Sequence, residues 1–155
     1  MRAKLGGIAL ITLVVVAVTA FSVVSARRLG VQQPPKGVLA ADLAQRVVTL
    51  METDFRAATT AADAPVSCAA RPFGVRPEGL ASAAEATTIY AWVYCRAPAR
   101  TLLAPVAVRL GRPPSVRLPE RGDDRERSIR RIFPADVRDA LRRTDARSLR
   151  GSIAD

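Results

Sequence analysis

The stretch Thr-Thr-Ile-Tyr-Ala-Trp-Val-Tyr-Cys, residues 87–95, alternates between two kinds of side chain and predicts a β-strand. Successive side chains of a strand point to opposite faces of a sheet. Threonine, isoleucine, alanine, valine and cysteine at the odd-numbered positions therefore share one face. The even-numbered positions form an aromatic row on the other face, made of Tyr90, Trp92 and Tyr94.

Three further segments predict strands, one before residues 87–95 and two after them. A first strand is expected near residues 65–70, and the stretch 71–77, with two prolines and a glycine, is expected to form an edge or a loop. Residues 104–110 and 115–118 are joined by Gly-Arg-Pro-Pro, which predicts a hairpin. The chain therefore has four predicted strands.

The segment before the strands has the periodicity of a helix, because apolar side chains recur every three or four positions across residues 38–57. These side chains belong to Leu39, Leu43, Val47, Leu50, Met51 and Phe55. A further helix is expected to begin at Pro134, since proline is favoured at the first helical position. The predicted fold class is α+β: one amphipathic helix packed on a four-stranded antiparallel sheet, followed by short C-terminal helices.

The face of the sheet that the helix covers decides the role of the aromatic row. If the helix packs on the face of Ile89 and Val93, the row lies on the open side, where it can stack on a sugar, peptide or lipid. If the helix packs on the row, the three rings belong to the core. Burial of three large rings is the strongest driving force in so small a domain, which favours the core.

Residues 5–24 are twenty consecutive positions without a charge. At about 1.5 Å per residue, such a run crosses a bilayer core of about 30 Å as a helix. We expect a signal anchor or transmembrane segment over 1–28, a proline-rich spacer over 29–37, an extracytoplasmic α+β domain over 38–143 and a flexible basic tail over 144–155. The alternative is secretion after signal cleavage near Ala26, where small residues suit a signal peptidase.

Cys68 and Cys95 are the only cysteines, and both fall in predicted strands. They are either two buried thiols or a disulfide, and we expect the disulfide. On the chain-entropy model, a disulfide that closes the loop between the two cysteines stabilises the fold by about 3–4 kcal/mol. Disulfides persist in oxidising compartments, so the bond predicts that the domain lies outside the cytoplasm.

Three stretches together resemble a group of proteins: the aromatic strand 89–95 that ends in cysteine, the hairpin 105–118, and Ser-Ile-Arg-Arg-Ile-Phe-Pro-Ala-Asp-Val-Arg at 128–138. They look like small, uncharacterised, membrane-anchored or exported proteins of GC-rich Gram-positive bacteria. The resemblance covers residues 38–143 and implies an anchor followed by a domain, with no known activity. A cystatin-like or NTF2-like fold is compatible with it, although such folds host unrelated functions.

The composition excludes several kinds of site. The chain has no histidine, which excludes a Ser-His-Asp or Cys-His nucleophilic centre and any histidine-ligated metal. Two cysteines are too few for a structural zinc site. We therefore expect no catalytic residue, metal or cofactor. A hydrolase could still use a loop carboxylate, for which the candidates are Asp63, Glu78 and Glu85.

The net charge of +10 is concentrated in the C-terminal part, where residues 96–155 hold 15 basic and 8 acidic side chains. The candidates for contact with an anionic surface are Arg125, Arg127, Arg130 and Arg131. They would face lipid headgroups or acidic envelope polymers, unless they only form a solvated surface. Nucleic acid is not an expected partner, because Phe133 is the only aromatic residue among these arginines.

These patterns predict a single-pass membrane protein whose extracytoplasmic domain is a non-catalytic binding or accessory module at the cell envelope. Its expected partners are membrane lipid, through the N-terminal helix, and anionic envelope polymers or another membrane protein. The alternative is an envelope hydrolase or small-ligand carrier that uses the open sheet face and a loop carboxylate.

Overall fold

A four-stranded antiparallel sheet lies at the centre of the computed structural model, which describes residues 32–58 and 65–153. The strands follow one another as a meander, in the order β1-β2-β3-β4. The elements are α1 (Gly37–Ala57), β1 (Ser67–Arg76), β2 (Thr88–Ala97), β3 (Arg100–Arg109), β4 (Ser115–Arg117), α2 (Arg125–Ile132) and α3 (Ala135–Arg143). Short 3-10 helices occupy Ala83–Glu85, Gly122–Asp124 and Arg147–Ser152. The predicted α+β class is confirmed.

Helix α1 covers one face of the sheet. Its apolar stripe is buried because the side chains lie about one helical turn apart and pack against β1 and β2. The fully or almost fully buried members of this layer are Leu43, Val47, Met51, Phe55, Ile89, Val93, Cys95, Val106 and Val108. The helix therefore packs on the face that carries Ile89 and Val93.

Strand β1 continues through Pro72 to Arg76, beyond the strand predicted at 65–70. The proline is tolerated because β1 is an edge strand, as the sequence allowed, and has a neighbour on one side only. The pairing with β2 shifts between Pro72 and Gly74, which marks a β-bulge. Because the bulge absorbs this shift, β1 stays paired with β2 on both sides of it.

Gly74 lies in a crowded position, where an added side chain would press on its neighbours. A Cβ atom there would lie 2.6 Å from Oε1 of Gln32, 3.2 Å from Cγ1 of Val137 and 3.3 Å from Cδ2 of Tyr90. Gln32 belongs to the predicted spacer 29–37, yet it is buried, and its Nε2 donates to the carbonyl of Val75 at 2.6 Å. The spacer is therefore packed into the domain at Gln32.

We expect the substitution Gly74→Val to lower the free energy of unfolding by about 1–3 kcal/mol, the usual cost of overpacking a filled core. Gly151→Val is the matched control, because a Cβ at Gly151 meets no atom within 4 Å. Chemical denaturation of the full chain in mild detergent measures both. Equal stability of the two variants would show that Gly74 has room for a side chain.

Part of the segment that follows α3 also packs around an apolar side chain. The sequence predicted a flexible tail over 144–155, whereas Arg147–Ser152 forms a 3-10 helix whose Leu149 is only 3 % exposed. Leu149 was too isolated in the sequence to indicate packing.

No helix among the described residues is long and apolar enough to cross a membrane, and the predicted anchor at 5–24 lies outside these residues.

Candidate functional site

The C-terminal helices cover the second face of the sheet. Phe133 lies between α2 and α3, is completely buried, and packs on Phe73 and Tyr90 with ring centroids 6.0 and 5.9 Å apart. Val137 and Leu141 of α3 complete this smaller core. The sheet is thus enclosed by α1 on one face and by α2 and α3 on the other.

This second layer divides the aromatic row. Tyr90 belongs to the core at 6 % exposure, while Trp92 and Tyr94 are half-buried. The indole N–H of Trp92 donates to the carbonyl oxygen of Leu141 at 3.3 Å, which ties the ring to the end of α3. The sequence posed core and open face as alternatives because only one helix was expected to cover the sheet.

Trp92 lines an open cavity of about 580 Å³, which we call the arginine pocket. The pocket lies where β2 and β3 meet α2, α3 and the segment that follows α3. Its apolar lining is Trp92, Pro105, Ile129, Leu141 and Ala146, and its polar lining is Arg125, Glu126, Arg138, Arg142, Arg143, Thr144, Asp145 and Arg147. The described lining thus includes five arginines, two carboxylates and the indole ring of Trp92.

The arginines that line the pocket differ in how their charges are partnered. Arg142 forms an ion pair with Asp139 on the same helix, and the guanidinium of Arg138 donates to the carbonyl of Phe133 at 3.1 Å. Within residues 32–58 and 65–153, the side chains of Arg125 and Arg147 have no carboxylate partner. The guanidinium groups of the lining outnumber its two carboxylates, so the pocket carries a net positive charge.

The structure brings together one of the four arginines that the sequence selected and the central residue of the aromatic row. Arg125 lines the pocket with Trp92. Arg127 instead pairs with Asp124 at 2.6 Å, and Arg131 pairs with Glu120 at 3.4 Å. Arg130 is exposed on α2 outside the pocket.

Sequence reasoning did not select four of the pocket arginines as contacts. They are Arg138, Arg142, Arg143 and Arg147. A signal for two of them was present, because Arg138, Leu141 and Arg142 are spaced i, i+3 and i+4 and so share one face of a helix. That face points to the pocket once α3 is packed on the sheet.

An ion pair fixes the start of α3 to the edge strand β1. Arg76 contacts both Asp136 and the more exposed Glu78. Burial alone would raise the pKa of Asp136, but the hydrogen bond and charge of Arg76, with backbone N–H groups of α3, outweigh burial and lower that pKa. Burial also raises the pKa of the Tyr90 hydroxyl beside this pair.

We expect the ion pair to make stability depend on acidic pH. A carboxyl whose pKa is lowered on folding stabilises the fold fully above its unfolded pKa of about 4, and this stabilisation is lost as the pH falls through the lower folded pKa. Asp136→Asn should therefore reduce the fall in unfolding free energy as the pH drops below about 4. Denaturant titrations across this range measure the slope, and a slope as steep as that of the unmodified protein would exclude this role.

The loop carboxylates suggested for a hydrolase do not converge on the pocket. Glu78 pairs with Arg76 at 2.7 Å, Glu85 accepts from the hydroxyl of Ser82 at 3.2 Å, and Asp63 lies outside the described residues. Across the described part of the chain, no three potential ligands of the histidine, cysteine, aspartate or glutamate type are grouped to hold a metal.

The predicted bond between Cys68 and Cys95 is confirmed. The two residues lie directly opposite each other on β1 and β2, and Cys95 is completely buried. The amide of Cys68 also donates to Oε1 of Glu52 at 3.1 Å, which links β1 to α1. The bond therefore joins the edge strand to the centre of the larger core.

Comparison with known proteins adds no further resemblance: no protein-family model, no curated protein and no solved structure matches the chain.

Proposed function

We propose that this protein is a single-pass membrane protein whose extracytoplasmic domain is a non-catalytic binding or accessory module of the cell envelope. The observation that carries the binding role is the arginine pocket, whose lining combines five arginines with a half-buried tryptophan. Concave sites of several hundred Å³ with an apolar floor and a few convergent polar groups are typical of ligand recognition.

Two observations support the envelope location. The bond between Cys68 and Cys95 is of the kind that forms and persists in oxidising compartments. The uncharged run at residues 5–24 is long enough to cross a bilayer as a helix. We propose that this run is retained as an anchor, with secretion after cleavage near Ala26 as the alternative.

The chemistry of the pocket supports binding rather than hydrolysis. General acid–base catalysis needs a group whose pKa is near the working pH, and an arginine side chain does not release its proton in that range. Arginine instead suits recognition of carboxylate or phosphate groups, because its planar fork matches their two oxygens. The hydrolase alternative also relied on an open sheet face, and α3 packs on that face against β1 and β2.

We also propose a cystatin-like or NTF2-like arrangement for the domain. It is supported by one long helix, Gly37–Ala57, packed across an antiparallel sheet. This proposal concerns architecture alone, since such folds carry unrelated functions.

Protease treatment of intact cells tests the proposed location. Cells from which the outer wall polymers have been removed enzymatically should lose the C-terminal domain of the full chain to added protease, while the remaining N-terminal fragment stays with the membrane after alkaline extraction. Protection of the domain until the membrane is lysed would place it inside and contradict the proposal. Recovery of the whole domain in the medium would favour cleavage near Ala26.

A further inference from the structure

We propose that the arginine pocket binds an acidic sugar unit of an anionic glycan, with the sugar ring against Trp92 and its phosphate or carboxylate group among the arginines. The inference rests on the proposed binding function and adds the class of ligand. It uses the two properties that the pocket combines: a fixed aromatic side chain and an excess of guanidinium groups.

Trp92 is suited to stack on a ring because its position is fixed. Its N–H group is engaged with Leu141, and Pro105 lies directly opposite it on β3. An aromatic side chain held in this way offers apolar contact area at a small entropic cost. The C–H face of a pyranose ring complements such a surface, whereas an isolated inorganic anion does not use it.

The arginines of the pocket come from three separate segments. Arg125 belongs to α2, Arg138, Arg142 and Arg143 to α3, and Arg147 to the 3-10 helix that follows. Arg125 and Arg147, which lack carboxylate partners within the described segments, are available for a charged hydrogen bond to a ligand oxygen. The carboxylates of Glu126 and Asp145 can accept hydrogen bonds from sugar hydroxyl groups.

The geometry favours a glycan over a lipid surface. Proteins that dock on a bilayer bury projecting apolar side chains among the headgroups. Within the described residues, Val38 is the one large hydrophobic side chain that is strongly exposed. It belongs to α1, which packs on the face of the sheet opposite to the arginine pocket. The arginine pocket is concave and presents no such side chain.

The same site is poorly suited to single-stranded nucleic acid. Proteins that bind such strands stack successive bases on several aromatic side chains along a basic groove. Among the residues that the structure describes, Trp92 is the only aromatic one that lines the arginine pocket. One ring and a cluster of cations match a single charged sugar better than a run of bases.

The test uses the full chain in nanodiscs of zwitterionic lipid and the fluorescence of Trp92, the only tryptophan. The probes are a glucuronic acid oligosaccharide, glucose 6-phosphate, glucose and inorganic phosphate. We expect saturable changes with the first two and affinities at least about tenfold weaker for glucose and for phosphate alone, because each lacks one of the two contacts. The relative affinities of the two acidic sugars identify the anionic group that is preferred.

Matched variants locate the binding. Arg125→Gln and Arg147→Gln should each weaken binding of the acidic sugars roughly tenfold, the usual order for one lost charged hydrogen bond. Arg127→Gln is the control, because Arg127 lies on the same helix but pairs with Asp124 outside the pocket. Thermal melts of each variant show that the fold is retained.

The inference would be overturned by equal binding of glucose or of phosphate, by no saturable change with either acidic sugar, or by equal losses in Arg125→Gln and Arg127→Gln. Tighter binding to anionic lipid vesicles or to oligodeoxythymidylate would also overturn it in favour of those ligands. Failure here is distinguishable from failure of the proposed location, because the protease experiment on cells does not depend on any ligand.

Discussion

Replacement of Phe133 by alanine should lower the free energy of unfolding by about 3–5 kcal/mol, the range for truncating a large buried aromatic side chain. Phe133 is completely buried between Phe73 and Tyr90, and its ring holds the C-terminal helices against the second face of the sheet. Its loss would leave a cavity where those helices meet the strands. A domain of this size has a total stability of about 5–15 kcal/mol, so the effect is large.

Urea denaturation of the full chain in mild detergent, followed by the fluorescence of Trp92, measures this change. Arg130→Ala is the matched control, since Arg130 lies on the adjacent helix and is exposed. We expect Arg130→Ala to change stability by less than about 0.5 kcal/mol. A Phe133→Ala variant as stable as this control would mean that the second face of the sheet is not a packed core.

Loss of the disulfide is expected to have an effect of similar size. Removal of a native disulfide from a small domain typically costs about 2–5 kcal/mol. The bond between Cys68 and Cys95 joins an edge strand to a fully buried position near the end of β2, so the edge should be the first part to open without it. The double variant Cys68→Ala/Cys95→Ala should therefore unfold at a lower urea concentration than the oxidised protein.

A reductant separates the bond from the side chains. Dithiothreitol should destabilise the unmodified protein by a similar amount and leave the double variant unchanged. If reduction left the stability of the unmodified protein unaltered, the bond would have no structural role. If the double variant were also sensitive to the reductant, the effect would not arise from these cysteines.

The main layer of the fold could be predicted because its signals are local. The alternation in residues 87–95 and the helical spacing in residues 38–57 each need only one segment of sequence, and both elements are confirmed within a few residues. The length of β1 was underestimated, because a bulge and an edge position make Pro72 acceptable. Neither condition is visible without the neighbouring strand.

The candidate site could be predicted only in part, because it depends on the packing of the second layer. Helix α2 has few apolar side chains of its own, and Ile129 and Ile132 acquire a role only beside Phe133. The predicted contact surface therefore rested on the arginines that lie close together in the chain between residues 121 and 131. The pocket instead gathers arginines from segments up to Arg147, which only the folded chain brings next to Trp92.

The proposed location is the central claim, and the state of the thiols inside living cells tests it most directly. Cells that make the full chain are quenched in acid, and the denatured protein is alkylated without a reductant and weighed by mass spectrometry. We expect no alkyl group on Cys68 or Cys95 before reduction and one on each after it. Alkylation of both cysteines without reduction would contradict an extracytoplasmic domain stabilised by this bond.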